Sequence, residues 1–395
     1  MGNLFQQYFK GDRFVWLAVI VLSLTGLMAV YSSTGTLAFA KQGGKTEYYL
    51  FKHGGFLVVG FVLMYFFHRI DFRYFSRVAQ WLIWLAIILL IVTIFAGNDI
   101  NEAKRTLTIP GLGISFQTSD LARLALVMYI ARYLSKNQEK LDEWKPFFWL
   151  VGVIAATCFL IMPENLSTSL VLFTTSLVLL FIGNVRLKHL LVLVSSFLVL
   201  LSIGAIFLLN APDSMLPGRA KTWKTRLENF AGGDEKDAYQ TVQAKIAVAN
   251  GGITGKGPGG SIQKNTLPHP YSDFIYAIIL EEYGLLGGAI IASLYLLIFI
   301  RSIRMVVRSP RAFGALLAVG LSFTLVFQSL IHMAVAVALL PVTGLTLPLV
   351  SMGGTSLIFT SFAFGIILSV SRTTEGDDET EESSDSQQTN TVLPS

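Results

Sequence analysis

Ten stretches of this 395-residue chain are apolar for long enough to cross about 30 Å of hydrocarbon. They lie at roughly 14–34, 55–70, 78–96, 118–135, 147–163, 167–185, 189–210, 274–300, 312–333 and 345–371. Inside a bilayer no water satisfies backbone N–H and C=O groups, so each stretch must become a helix. The expected fold class is therefore an all-α polytopic membrane protein with about ten transmembrane helices. Composition agrees: 53% of the residues are hydrophobic and 14% are charged, against about 25% charged in a soluble domain. The first apolar run lacks a small-residue cleavage site and reads as a spanning helix. The single cysteine, Cys158, sits in an apolar run and reads as a small core residue.

Lysine and arginine set the expected orientation. The N-terminus and alternate loops carry Lys10, Arg13, Arg69, Arg73, Arg77, Arg132, Lys136, Lys140, Lys145, Arg186, Lys188, Arg301, Arg304, Arg308 and Arg311. The short loops on the other side carry Lys41, Lys45, Lys52, Lys104 and Arg105. The positive-inside rule then puts both termini in the cytoplasm. A long loop at 211–273, between helices seven and eight, falls outside with eight Lys/Arg; loops of this length sit at the limit of the rule. The net charge of +5 thus reads as topology, and no nucleic-acid partner is expected. The membrane domain covers 1–371. The segment 372–395 is acidic and Ser/Thr-rich, which predicts a disordered cytoplasmic tail.

Polar residues cluster near the expected outer face. "KNTLPHPYSDFIYAIILEEYGLLGG" (264–288) puts Asp273, Glu281 and Glu282 at the entrance of an apolar stretch that is too long for one straight span. Gly284, Gly287 and Gly288 predict a break in it. Asp273 has two readings, a helix N-cap or a functional carboxylate; the glutamates either pair inside the bundle or face a cavity. Upstream, "NGGITGKGPGGSIQK" (250–264) formally contains G-x-G-x-x-G but follows no strand and contains Pro258, which argues against dinucleotide binding. It reads as a flexible loop, or as a backbone cradle for an anion flanked by Lys256 and Lys264. Asp120 and Arg123 enter span four three residues apart on one face, as an orienting ion pair or a functional one. "LLPVTGLTLPLVSMGGTS" (339–356) has prolines and glycines that break helices at membrane depth, which is tolerated where backbone lines protein or a cavity.

The blocks G-G-I-T-G-K-G…S-I-Q-K…L-P…D-F-I…E-E-Y-G and L-P-V-T-G-L-T-L-P-L-V-S-M-G-G-T-S resemble those of the SEDS family of shape, elongation, division and sporulation proteins. The resemblance runs from about Phe14 to Arg372. It implies a peptidoglycan glycosyltransferase that polymerises lipid II at the outer face of the bacterial cytoplasmic membrane. The family's essential carboxylate falls on Asp273 as the catalytic residue. Its conserved arginine, lysine and Y-Q-x-x-Q glutamines fall on Arg105, Lys264, Gln240 and Gln243. Lys256, Glu281, Glu282, Ser351, Gly353 and Gly354 complete the implied substrate-binding set. The family's Glu after L-P is His269 here, and its P-S-E-x-x-K reads Thr118-Ser119-Asp120-Leu121-Ala122-Arg123. "PENLST" (163–168) has one residue more than the family's P-D-x-G-T.

The implied reaction has a sugar hydroxyl attack the anomeric carbon of a lipid-linked saccharide, with undecaprenyl pyrophosphate leaving. A positioned carboxylate serves as base, and cations stabilise the leaving diphosphate. A divalent cation (Mg or Mn) is compatible with that diphosphate, and no residues in the sequence are assigned to a metal. The implied partners are a class B penicillin-binding protein, which is a transpeptidase, and other membrane proteins of the divisome. The GLTLP form and the charged tail lean towards division. The alternatives are a lipid II flippase, which would bind at the midplane, and a non-catalytic scaffold.

Overall fold

The computed structural model describes residues 10–100, 103–108, 115–141, 143–212, 216, 218–231, 235–308 and 311–391; the side chains of 98–105, 218–219, 226–227, 229–231, 235–238, 307–308 and 374–391 are outside the description. Thirteen α-helices are described in chain order. They are α1 (Arg13–Ser33), α2 (Gly35–Gln42), α3 (Thr46–Arg69), α4 (Phe72–Ala96), α5 (Thr118–Lys136), α6 (Trp144–Ile161) and α7 (Leu166–Ile182). They continue with α8 (Leu187–Asn210), α9 (Gly218–Ala231), α10 (Glu235–Gly251), α11 (Ile275–Arg308), α12 (Ala312–Ala336) and α13 (Thr355–Thr391). Among the described residues eight helices are long and apolar enough to span a membrane. Two more stand where spans were expected: α7 is apolar but 17 residues long, and α5 carries Asp120 and Arg123. The protein is a multi-pass membrane protein.

Local chemistry sets several helix starts. The Asp12 carboxylate accepts the N–H groups of Phe14 and Val15 at the head of α1. Asp71 does the same for Arg73 at α4, and Asn165 for Thr168 at α7. The most central spanning helix is α12, whose apolar window is 78% buried. α13 packs on α3 through small residues: a Cβ on Gly60 would lie 2.4 Å from Ser361 Oγ, and one on Gly365 would lie 2.8 Å from Met64 O. α8 stands at the periphery, with only His189 and Leu190 buried. One end of the bundle is tied together by Arg301 on Asp12, Ser371 Oγ accepting Asp12 N–H, and Arg372 donating to Arg69 O. Two of the expected cytoplasmic arginines, Arg69 and Arg301, therefore lie at the same end of the bundle.

The fold is that of an all-α polytopic membrane protein, as expected, with one small addition: β1 (Asn98–Ile100), β2 (Ala103–Thr108) and β3 (Ser115–Gln117) form an antiparallel sheet in the order β1-β2-β3. Thr106 pairs with Gln117 and Thr108 with Ser115, and β-branched threonines suit such a ladder. The second span begins at Thr46 rather than 55; Glu47, Lys52 and the glycines at 54 and 55 lower hydropathy without breaking the helix. The last span begins at Thr355 rather than 345, because prolines and left-handed residues keep 337–354 irregular. The loop 211–273 holds α9 and α10. The backbone of α13 runs helically to Thr391, where composition predicted disorder from 372.

Candidate functional site

The glycine-rich stretch 251–257 is neither a slack loop nor an open cradle. It is joined to α11 where that helix breaks. Gly284 has φ 66° and ψ −171° inside α11, a conformation that favours glycine. The break frees backbone groups at membrane depth, and each finds a partner upstream. Leu285 N–H donates to Gly252 O at 2.9 Å and Leu286 N–H to Ile253 O at 3.2 Å. Lys256 N–H donates to Glu281 O at 3.0 Å and Gly257 N–H to Glu282 O at 2.8 Å. The backbones approach so closely that a Cβ on Gly251 would lie 1.9 Å from Leu280 O, and one on Gly255 2.2 Å from Glu282 O. This is how an interrupted helix is satisfied within a bundle.

The two glutamates are buried beside this junction. Glu281 is fully buried and accepts from Lys256 Nζ at 3.1 Å, Asn250 Nδ2 at 3.3 Å and the backbone N–H of Gln263 at 3.0 Å, with Ser261 Oγ at 2.5 Å. Glu282 is buried and accepts from the Ser32 hydroxyl of α1. Both carboxylates therefore have partners inside the protein, but among the described residues only Glu281 has a basic one.

Asp273 is different. It is half-buried in a turn just before α11. Among the described residues its carboxylate accepts one hydrogen bond, from Ser272 Oγ at 2.9 Å, and no cap bond to α11 is formed. The carboxylate faces the irregular segment 337–354: a Cβ on Gly344 would sit 3.9 Å from Asp273 Oδ2. Ser351 Oγ donates to Ser272 O and accepts Leu347 N–H, each at 2.8 Å. Met352 N–H donates to Tyr271 O at 3.0 Å. Burial first, then the Asp273 carboxylate and Tyr49, push the Tyr271 phenol above its ordinary value. Of the four described non-glycine residues with left-handed backbone, three lie in these two segments: His269, Ala338 and Leu349. Such strain gathers at functional sites.

Beneath this lies a polar path through the bundle. Asp120 and Arg123 of α5 are buried and 3.4 Å apart. Arg123 donates to Gln328 Oε1, and Gln328 Nε2 donates to Thr346 O at 2.6 Å. Thr118 Oγ1 lies 3.4 Å from Glu164 Oε1. A cavity against Asp120 and Arg123 is lined further by Thr324, Phe359 and Ala363. Sequence reasoning missed Gln328 and His332. Their signal was present: two large polar residues four apart in a largely apolar span lie on one face.

The remaining expected site residues are spread around this end. Lys264 Nζ donates to Gly259 O at 2.8 Å. Gln240 and Gln243 are half-buried on α10. Gly353 and Gly354 lead into α13, and Gly354 is left-handed (φ 54°) with open space around it. Arg105 is carried by β2, and its side chain lies outside the described residues. The sheet reaches the site's neighbourhood, since Phe116 of β3 meets Phe359 of α13 at 6.5 Å. His269 is exposed, its Nδ1 3.1 Å from Tyr271 Oη. Among the described residues no three His, Cys, Asp or Glu side chains converge to hold a metal ion.

Known proteins share this architecture. The sequence profile of the FtsW/RodA/SpoVE cell cycle protein family matches residues 12–376. A probable peptidoglycan glycosyltransferase FtsW from Geobacter metallireducens is 31% identical over 373 residues, covering 92% of this chain and 96% of that protein. Stage V sporulation protein E of Bacillus subtilis is 29% identical, covering 91% and 97%. The crystal structure of the rod shape determining protein RodA from Thermus thermophilus superposes with a TM-score of 0.64 at 22% identity, covering 92% of this chain and 97% of that one. A chain from a structure described as showing coordination of polymerization and crosslinking by a peptidoglycan synthase complex superposes with a TM-score of 0.71 at 22% identity, covering 92% and 98%.

Proposed function

The chain belongs to the FtsW/RodA/SpoVE family of cell cycle proteins, and from that premise we propose that it is a peptidoglycan glycosyltransferase that polymerises lipid II in cell-wall synthesis. The observation that carries this reading is the setting of Asp273. Its carboxylate has one described hydrogen bond, from Ser272, and faces irregular backbone at Gly344. Glu281, by contrast, is fully buried among several donors, and Glu282 is buried against Ser32 of α1. An unencumbered carboxylate at the head of a membrane helix suits a general base.

In the proposed reaction the 4-hydroxyl of an N-acetylglucosamine attacks C1 of the N-acetylmuramic acid on the growing chain. The new C–O bond forms as the bond from C1 to the pyrophosphate breaks, and undecaprenyl pyrophosphate leaves with the bonding electrons. Asp273 takes the hydroxyl proton. An α-linked donor gives a β-linked product, so a single inverting displacement suffices. Arg105 and Lys264 are the cations proposed for the leaving diphosphate. Lys256 joins them only to the extent that it exchanges its Glu281 contact for the ligand. Ser351, Glu281 and Glu282 hold the segments that carry the site, and Gln240, Gln243, Gly353 and Gly354 border it.

The expected topology places Asp273 at the outer leaflet, with both termini in the cytoplasm. A class B penicillin-binding protein is the proposed partner. The likeness of the sequence to FtsW relatives supports a role at the division site.

The test is a polymerisation assay with the purified protein, its transpeptidase partner and lipid II. Glycan strands from the wild type and none from a folded Asp273→Asn variant are expected. Strands from both would remove Asp273 from the chemistry. Strands from neither, with a positive control working, would favour lipid transport or a scaffold role.

A further inference from the structure

The segment 337–354 is gripped by α12 through two side chains one turn apart. Gln328 Nε2 donates to Thr346 O at 2.6 Å. His332 Nδ1 lies 2.7 Å from Leu345 O. A carbonyl only accepts, so the ring proton is on Nδ1. His332 is 1% exposed, and among the described residues its Nε2 has no hydrogen-bond partner. Among the described residues the Leu345 bond is therefore the one polar anchor of this ring. The residue preceding Leu345 is Gly344, at which a Cβ would sit 3.9 Å from Asp273 Oδ2.

These contacts divide the work between the two side chains. Gln328 is already coupled to Arg123, and it keeps the segment attached to the bundle whatever stands at position 332. Without the second bond the segment can pivot about Thr346. The pivot moves Gly344, and with it the backbone that borders the Asp273 carboxylate. A displacement near 1 Å of a reacting group can cost about 100-fold in rate.

We propose that His332 is a positioning residue for the transfer reaction: its Nδ1–H holds Leu345 O and so sets Gly344 against the Asp273 carboxylate. This rests on the reading of Asp273 as the base. The side-chain nitrogen of an asparagine at this position would fall near Nδ1 and could donate the same bond.

The test compares wild type, His332→Ala and His332→Asn, each with the transpeptidase partner. Polymerisation kinetics on lipid II are followed together with hydrogen–deuterium exchange over 342–352 in the full chain. His332→Ala is expected to lower kcat by about 10- to 100-fold, with KM within about twofold, and to speed exchange in the segment. His332→Asn is expected to restore most of kcat and the slow exchange. An alanine variant with wild-type kcat and exchange overturns the proposal. So does a folded asparagine variant below about a tenth of the wild-type rate, and this arm decides the matter if the alanine variant does not fold. If wild type itself makes no strands while exchange follows the expected order, the glycosyltransferase reading fails and the grip on Leu345 stands.

Discussion

The Ser351 hydroxyl donates to the backbone carbonyl of Ser272 at 2.8 Å and accepts the Leu347 N–H at the same distance. One side chain thus closes the 337–354 segment on itself and ties it to the turn that carries Asp273. Ser351 is 3% exposed, so neither bond is replaced by water when the hydroxyl is removed. Ser351→Ala is expected to cost about 1–3 kcal/mol, read as a lowered unfolding temperature in detergent. Polymerisation should fall in kcat rather than in KM.

The join between 251–257 and α11 is backbone against backbone. Side chains cannot relieve a clash there. Gly251→Ala places a Cβ 1.9 Å from Leu280 O and is expected to destabilise by more than about 3 kcal/mol. Gly152→Ala, with nothing within 4 Å of the new Cβ, is expected to stay within about 0.5 kcal/mol of wild type. Yields of monodisperse protein and thermal unfolding of the two variants, made side by side, check this contrast.

Lys256 and Glu281 form an ion pair at 3.1 Å, with the carboxylate fully buried and the lysine side chain 29% exposed. Removing the lysine leaves a buried charge with one fewer donor. Lys256→Met is expected to cost about 1–3 kcal/mol, less than the loss of a wholly buried partner. A double-mutant cycle with Glu281→Gln should give a coupling of about 0.5–3 kcal/mol. A coupling near zero, with a raised KM for lipid II in Lys256→Met, would show that the lysine serves the ligand instead.

Tyr271 titrates above the ordinary phenol value of about 10, because burial, then Asp273 and Tyr49, disfavour the phenolate. The unfolded chain loses this proton first as pH rises, so the folded state binds more protons there. Its contribution to stability is full below about pH 10 and declines above it. Thermal unfolding between about pH 9 and 11 should show wild type losing stability more steeply than Tyr271→Phe.

Much of this protein is determined by local chemistry. An apolar run that spans hydrocarbon has to satisfy its own backbone, so most of the long apolar helices could be placed from the sequence, and so could the interruptions at Gly284 and at 341–348. Asp120 with Arg123 was legible for the same reason: three residues apart on a helix means one face. The sheet at 98–117 was harder to read, since three short strands depend on one another rather than on a long pattern.

What the tertiary structure alone decided is which interruptions complete one another. The break at Gly284 is satisfied by carbonyls at 252 and 253 and by N–H groups at 256 and 257. The segment around Leu345 and Thr346 is held by Gln328 and His332. No periodicity encodes those pairings, because hydrogen bonds between backbones distant in the chain carry no residue signature beyond the glycines that let them approach. The same packing gave Glu281 and Glu282 internal partners and left Asp273 facing Gly344. A sequence shows three carboxylates within ten residues; only the tertiary structure buries Glu281 and Glu282 and leaves Asp273 half-buried beside the 337–354 segment.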